Sequence, residues 1–285
     1  MNYRHAFHAG NHGDVLKHVV LLALSQALTV KPAPCFALDT HAGRGLYRLD
    51  DDTARKTGEA QGGIARLLAL AAPPHALQPL LAAVRACRQQ HGESAYPGSP
   101  WLLAHALRTQ DRIALCELQH EEAQALRVAL PHDPRIAIHV RDGYAAVKAL
   151  LPPHDRGQAL ARGLVLIDPP YEAQLAEFEQ ALAALHEGLT RWPQGAFALW
   201  YPIKLGRALQ PFRRAAAQLP ARAVLQVELR VRPDDSPLRM NGSGMLLLNP
   251  PWQLDRALAP ALEALQAGLG EAGASASIDW LRSPA

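Results

Sequence analysis

Leu164-Val165-Leu166-Ile167-Asp168-Pro169-Pro170-Tyr171 is an aliphatic run that ends in a carboxylate and then in two prolines. An apolar run with no polar alternation predicts a strand buried on both faces, as in a parallel sheet covered by helices. The prolines cannot donate backbone hydrogen bonds and hold the chain extended, so pairing stops here and carbonyl oxygens are left free to accept. Asp168 therefore stands at the carboxyl end of a strand, where open α/β sheets bind ligands.

The same pattern recurs on both sides. Cys35 to Asp39 is a short apolar run before the loop Thr40-His41-Ala42-Gly43-Arg44-Gly45, Arg112 to Glu117 precedes a helical pattern from His120, and Arg135 to Val140 precedes another from Gly143. Phe197 to Tyr201, Val224 to Val231 and Met245 to Leu248 read as closing strands, the last two suited to antiparallel pairing. The alternation predicts an α/β fold with a mostly parallel sheet of about seven strands. A helix over residues 14 to 28, capped by Asn11 or Asp14, precedes the first strand.

Between the Gly43 loop and Arg112 the chain far exceeds the roughly 20 residues that usually separate a glycine loop from its ribose-binding acid. Helical patterns at Ile64 to Leu70 and Leu77 to Arg88, the break Pro73-Pro74 and the turn Tyr96-Pro97-Gly98-Ser99-Pro100 fill that stretch. They mark residues 47–97 as a helical insertion within one domain spanning 1–285. Beyond Ala267 the Gly/Ala/Ser-rich tail predicts loose chain.

With 285 residues and 49% hydrophobic composition, the chain can bury one large core. Lys and Arg exceed Asp and Glu by 29 to 26, a mild basic lean that suits a polyanionic partner without requiring one. Cys35, Cys87 and Cys116 sit in apolar surroundings and read as buried thiols of a reducing compartment, which makes the cytoplasm the expected location. The apolar stretch Val19 to Leu28 is interrupted by Ser25 and Gln26 and is too short to span a membrane.

An acid ends each of the first four strands: Asp39, Glu117, Asp142 and Asp168. A cleft lined with acceptors suits a cationic sulfonium and a donor-rich adenosine. Glu117 can accept from two ribose hydroxyls and Asp142 from an adenine amino group; either acid serves equally as a helix cap. The loop lacks the Gly-x-Gly-x-x-Gly spacing of pyrophosphate binders, and no Gly-x-x-x-x-Gly-Lys-[Ser/Thr] occurs, so a nucleoside without phosphates fits better. At Asp168, a base amino group can give its two N–H bonds to the carboxylate and to a carbonyl near Pro169, turning its lone pair toward a methyl electrophile, with Tyr171 stacked on the base. Such a nitrogen gains acidity only as the methyl arrives, so neither a strong base nor a metal is required. The plain alternative is a rigid proline turn. Histidines 5, 8, 12 and 18 invite a metal reading, but their spacing matches no zinc pattern. Phosphate or a cofactor carboxylate is the better partner for Arg4, these histidines and Lys17; a solvated basic helix start is the plainer one.

Tyr3-Arg4-His5-Ala6-Phe7-His8-Ala9-Gly10-Asn11-His12-Gly13-Asp14-Val15-Leu16-Lys17-His18 resembles the opening of the RlmJ family of bacterial 23S ribosomal RNA adenine-N6 methyltransferases. The similarity continues through Leu38 to Gly43, Tyr96 to Pro100, Glu117, Arg141-Asp142-Gly143 and Asp168 to Glu172, nearly the whole chain in order. Asp-Pro-Pro-Tyr alone also occurs in DNA adenine, cytosine-N4 and guanine-N2 methylases; the opening motif is the specific one. The resemblance implies a class I S-adenosylmethionine-dependent methyltransferase, Rossmann-like with a small helical insertion, acting as a monomer on 23S ribosomal RNA. Motif by motif, it implies that His18, His41, Ser99, Glu117, Asp142 and Gly143 contact S-adenosylmethionine, that Asp168 is the catalytic acceptor beside it, and that Tyr3, His5 and Lys17 serve the substrate. DNA adenine is the neighbouring alternative, disfavoured by the lack of an obvious DNA-recognition domain. A noncatalytic RNA-binding shell is the alternative from another class.

Overall fold

The computed structural model describes residues 5–172, 174–236 and 240–284. One eight-stranded sheet runs through it. Its strands are β1 (Phe36–Asp39), β2 (Arg112–Glu117), β3 (Ile136–Val140), β4 (Gly163–Ile167), β5 (Ala196–Ile203), β6 (Val224–Arg230), β7 (Gly242–Leu248) and β8 (Ser275–Arg282), in the order β8-β6-β7-β5-β4-β1-β2-β3. From β3 to β5 the pairs are parallel, whereas β7, β6 and β8 pair antiparallel.

The unbroken apolar runs follow from this layering. In β4, Leu164 and Leu166 enter the core on one face while Val165 and Ile167 enter the core on the other. The first face is covered by α1 (His12–Thr29), α2 (Gln78–His91), α3 (Ser99–Ala106) and α7 (Leu254–Leu269), with Leu126 of α4 (His120–Ala129) joining them. The second is covered by α5 (Gly143–Leu150) and α6 (Gln174–Arg191). Asn11 caps α1, its Oδ1 accepting from the Asp14 amide at 2.9 Å. Because α1 touches β7, α3, α2 and α7 at once, it is apolar nearly all round and shows no clean stripe.

The sheet has one strand more than the sequence pattern predicts, and the tail expected to be loose supplies it. Residues after Leu269 turn back and β8 pairs along the edge of β6. Small residues at its start hide the strand, yet Ala276, Ile278 and Trp280 alternate onto the α1-side core.

Between β1 and β2, Leu46–Arg48 pairs antiparallel with Ala95–Pro97 and closes a ribbon around Asp52–Thr57, Ile64–Leu68 and α2. Ile64, Leu67, Leu80, Leu81 and Val84 of this segment are buried in the same core as α1. Polar contacts also tie it to the start of the chain. Thr57 Oγ1 donates to the Phe7 carbonyl at 2.5 Å, and the Ile64 amide donates to the Gly10 carbonyl at 2.8 Å. The Glu59 carboxylate accepts from Asn11 Nδ2 at 2.8 Å and pairs with His8 Nδ1 at 3.0 Å. Gly63 permits the approach, since a Cβ there would lie 2.1 Å from the Gly10 carbonyl oxygen.

Chain order reverses between β1 and β4: on one side of β1 the chain proceeds to β2 and β3, on the other β4 leads to β5. Such a switch point opens a crevice outside the carboxyl ends of the strands. The protein has the class I methyltransferase fold.

Candidate active site

Neighbouring strand ends deliver the acids. β4, β1, β2 and β3 lie side by side, so the residues after each meet in one cleft. His18, His41, Ser99, Glu117, Asp142, Gly143 and Asp168 all line it. Asp39 does not. It is fully buried beneath the cleft, and burial pushes its carboxyl up to about 7, with Ser99 and the His41 amide offsetting part of that rise.

Glu117 and Asp142 turn out to do structural work as well. The Glu117 oxygens accept from the Gly43 amide at 2.9 Å and the Gln119 amide at 2.7 Å, which fixes the glycine loop, and burial raises its pKa. Asp142 caps α5, accepting from the Ala145 amide at 2.7 Å. A carboxylate has about four acceptor positions, so both acids keep capacity for a ligand. Tyr144, which the sequence reading passed over, completes this wall. It sits edge-on to His41 and donates to Glu177 at 2.8 Å, and its place directly after Asp142-Gly143 was the available signal.

One orphaned atom tests the fit to a nucleoside with an amino-acid tail. His18 is 1% exposed; its Nδ1 meets the Tyr96 hydroxyl at 2.9 Å, while its Nε2 has no partner among the described residues. With the hydroxyl donating to Nδ1, Nε2 carries the ring proton and needs an acceptor such as a carboxylate. The residues present fit S-adenosylmethionine. Gly143 sets the width of the cleft, for a Cβ would lie 2.0 Å from the Thr40 carbonyl oxygen. Gly143→Ala is expected to weaken S-adenosylmethionine at least about tenfold by calorimetry, roughly 1.4 kcal/mol. Unchanged affinity would show that α5 and the loop can part without cost.

Burial lowers three histidines: His12 and His41 to about 4 and His18 to about 3. Each then binds a proton more readily when unfolded, so stability rises with pH from about 4 until the unfolded histidines titrate near 6.5. Asp39 has the opposite sign, protonating in the folded protein below about 7. Glu117, whose pKa burial also raises, shares that sign, and three against two leaves a net gain on the order of 1 kcal/mol per pH unit. The melting temperature of the ligand-free protein is expected to climb between pH 4.5 and 6.5, and less steeply in His18→Asn; a flat profile in the parent protein contradicts this.

A second, larger cavity lies on the other side of Asp168. His5, Lys17, Asp168 and Pro170 line both. Lys17 Nζ is held by Asp168 Oδ2 at 2.5 Å and Asp14 Oδ1 at 2.8 Å, with side-chain exposures of 5%, 13% and 2%. Asp14 also meets His5 Nε2 and the Gly10 amide, each at 2.9 Å. Burial opposes the charge on Lys17, yet Asp14 and Asp168 outweigh it and hold its pKa well above the usual range. Burial likewise opposes ionisation of Asp14, and His5 and Lys17 hold its pKa well below.

The family model described as ribosomal RNA large subunit methyltransferase D, RlmJ, matches residues 32–282. The chain belongs to the RlmJ family. Two relatives named ribosomal RNA large subunit methyltransferase J, from Escherichia coli K12 and Haemophilus influenzae, are 38% and 37% identical, each aligned over 99% of both chains. A solved protein of Legionella pneumophila superposes with a TM-score of 0.83 at 31% identity, covering 95% of this chain and 98% of its own.

In this RlmJ chain the expected substrate-side residues divide. His5 and Lys17 stand on the partition between the cavities. Tyr3 lies outside the described residues. Pro169 is buried, and Pro170 is the proline that faces both cavities. Tyr171 has φ 52, which turns the chain off the strand and lays its ring against Phe178 and Trp200; its hydroxyl donates to the Trp200 carbonyl at 2.8 Å and its free edge borders the second cavity. A tyrosine in the left-handed region is strained, as residues at functional sites often are. The early histidines are dispersed among different partners, with His5 on Asp14, His8 on Glu59 and His18 on Tyr96.

Proposed function

We propose that this protein transfers a methyl group from S-adenosylmethionine to the exocyclic amino group of one adenine in 23S ribosomal RNA. The observation that carries the reading is Asp168 on the shared wall of two cavities, one suited to the cofactor and one with room for a base. Family membership and the full-length relatives support it. S-adenosylmethionine supplies a methyl made electrophilic by its sulfonium. His18, His41, Ser99, Glu117, Asp142 and Gly143 hold that cofactor. Asp168 accepts one N–H of the amino group and a carbonyl of the Pro169-Pro170 turn accepts the other, which fixes the nitrogen for in-line attack. Among the described residues only Lys17 occupies Asp168, at Oδ2, so Oδ1 is the oxygen offered to the base. Once the nitrogen has acquired its fourth bond its proton leaves toward Asp168, and Lys17 keeps the site's charge balanced.

Tyr3, His5, Lys17 and the edge of Tyr171 contact the nucleotide, and residues 47–97 act as an insertion walling the substrate side. We expect the enzyme to work as a monomer in the cytoplasm. Incubation with labelled S-adenosylmethionine and unmodified 23S RNA is expected to place label in N6-methyladenosine after nuclease digestion, and none in adenine-containing DNA. Label in another nucleoside, or in DNA alone, overturns the reading.

A further inference from the structure

The second cavity is larger than one base needs. Its volume is about 680 Å³, against about 200 Å³ for the strand-end cleft. It is lined by Asp168 and Tyr171 after β4 and also by Val231 and Arg232 after β6. With β5 and β7 between those strands and about 4.8 Å per strand, it spans on the order of 14 Å.

Three polar atoms of its lining residues are buried without partners among the described residues: His12 Nδ1, Trp200 Nε1 and Arg232 Nε. Indole and guanidinium nitrogens only donate, so two of the three call for an acceptor. His12 is 9% exposed, and burial beside Arg232 keeps its ring neutral. The acids of this wall are already engaged, Glu59 by His8 and Asn11 and Glu271 by Arg232 at 2.8 Å. Lys204, exposed on the lining, forms no ion pair among the described residues. Beyond the reach of Asp168 the cavity is thus lined by an aromatic residue, by side chains whose buried donors lack partners among the described residues, and by positive charge, the combination that takes up single-stranded nucleic acid.

We propose that this cavity takes, next to the target adenine, one neighbouring nucleotide of the same RNA strand, its base against Trp200 and its acceptors toward His12, Trp200 and Arg232. The inference rests on the reading of Asp168 as the adenine site. Trp200 and Arg232 are then positioning residues, remote from the reacting nitrogen.

Calorimetry on the full chain with S-adenosylhomocysteine present separates the cases, using adenosine monophosphate and the dinucleotides ApC and CpA as probes. At least one dinucleotide is expected to bind about tenfold or more tightly than the mononucleotide. Trp200→Phe and Arg232→Gln should each cut that advantage to below about threefold while leaving the affinities for adenosine monophosphate and S-adenosylhomocysteine unchanged, the latter doubling as a check on folding. No dinucleotide advantage in the parent protein overturns the inference, as does an advantage that survives both substitutions, or equal loss for all probes. Failure to bind adenosine monophosphate at all, with no label entering 23S RNA, instead strikes the proposed function itself.

Discussion

Asp168→Asn is expected to lower the single-turnover rate of methyl transfer by about 10²- to 10⁴-fold, the range for removing a group that positions and relays a proton. The substitution keeps the shape of the side chain but removes its charge and leaves one acceptor where there were two. The amide nitrogen then competes with the adenine N–H as a donor, and the proton released after attack has no carboxylate to move to. Lys17 retains Asp14 at 2.8 Å, so the partition should stand. Affinity for S-adenosylmethionine is expected to stay within about tenfold of the parent, because the six other residues proposed to hold it line the same cleft and are untouched. A rate within tenfold of the parent would remove Asp168 from the chemistry.

The second large effect is on stability. Lys17→Met fits the length of the side chain but strands two carboxylates, Asp14 and Asp168, that are nearly out of solvent. Breaking a buried ion pair from one side costs about 3–5 kcal/mol. Asp14 keeps two donors, His5 and the Gly10 amide, which places the expected loss near the lower figure. At about 2–4 °C per kcal/mol for a chain of this size, the melting temperature should fall on the order of 10 °C. Adding Asp14→Asn should restore part of the loss, since the remaining cost of an unpaired charge is then smaller. A shift of no more than about 2 °C in Lys17→Met would mean that water already compensates these acids.

The sequence is most legible where a single physical rule governs a position. The fully buried strands and their terminal acids are read from composition alone, because a strand covered on both faces has nowhere to put a polar residue. Seven of the residues expected around the cofactor meet in one cleft for the same reason: each stands at a strand end or just after one, or lies on a helix packed against the sheet. Asp39 escapes the rule because its side chain lies beneath the floor, fully buried and accepting from the His41 amide. β8 is missed because Ser275, Ala276 and Ser277 carry almost no propensity signal and only edge pairing with β6 makes them a strand. The second cavity was invisible in advance. Arg232, Trp200 and His12 are brought together by the stacking of β5, β6 and α1, and no local pattern encodes that meeting.

The seam between the segment 46–97 and the first residues of the chain has a consequence for swapping parts among related enzymes. Thr57, Glu59 and Ile64 grip the backbone and side chains that lead into Lys17, so this appendage indirectly sets where the lysine stands. Transplanting it from a homologue without the matching leader peptide should give a protein that still takes up its methyl donor yet turns over slowly. The two pieces have to be inherited as one unit.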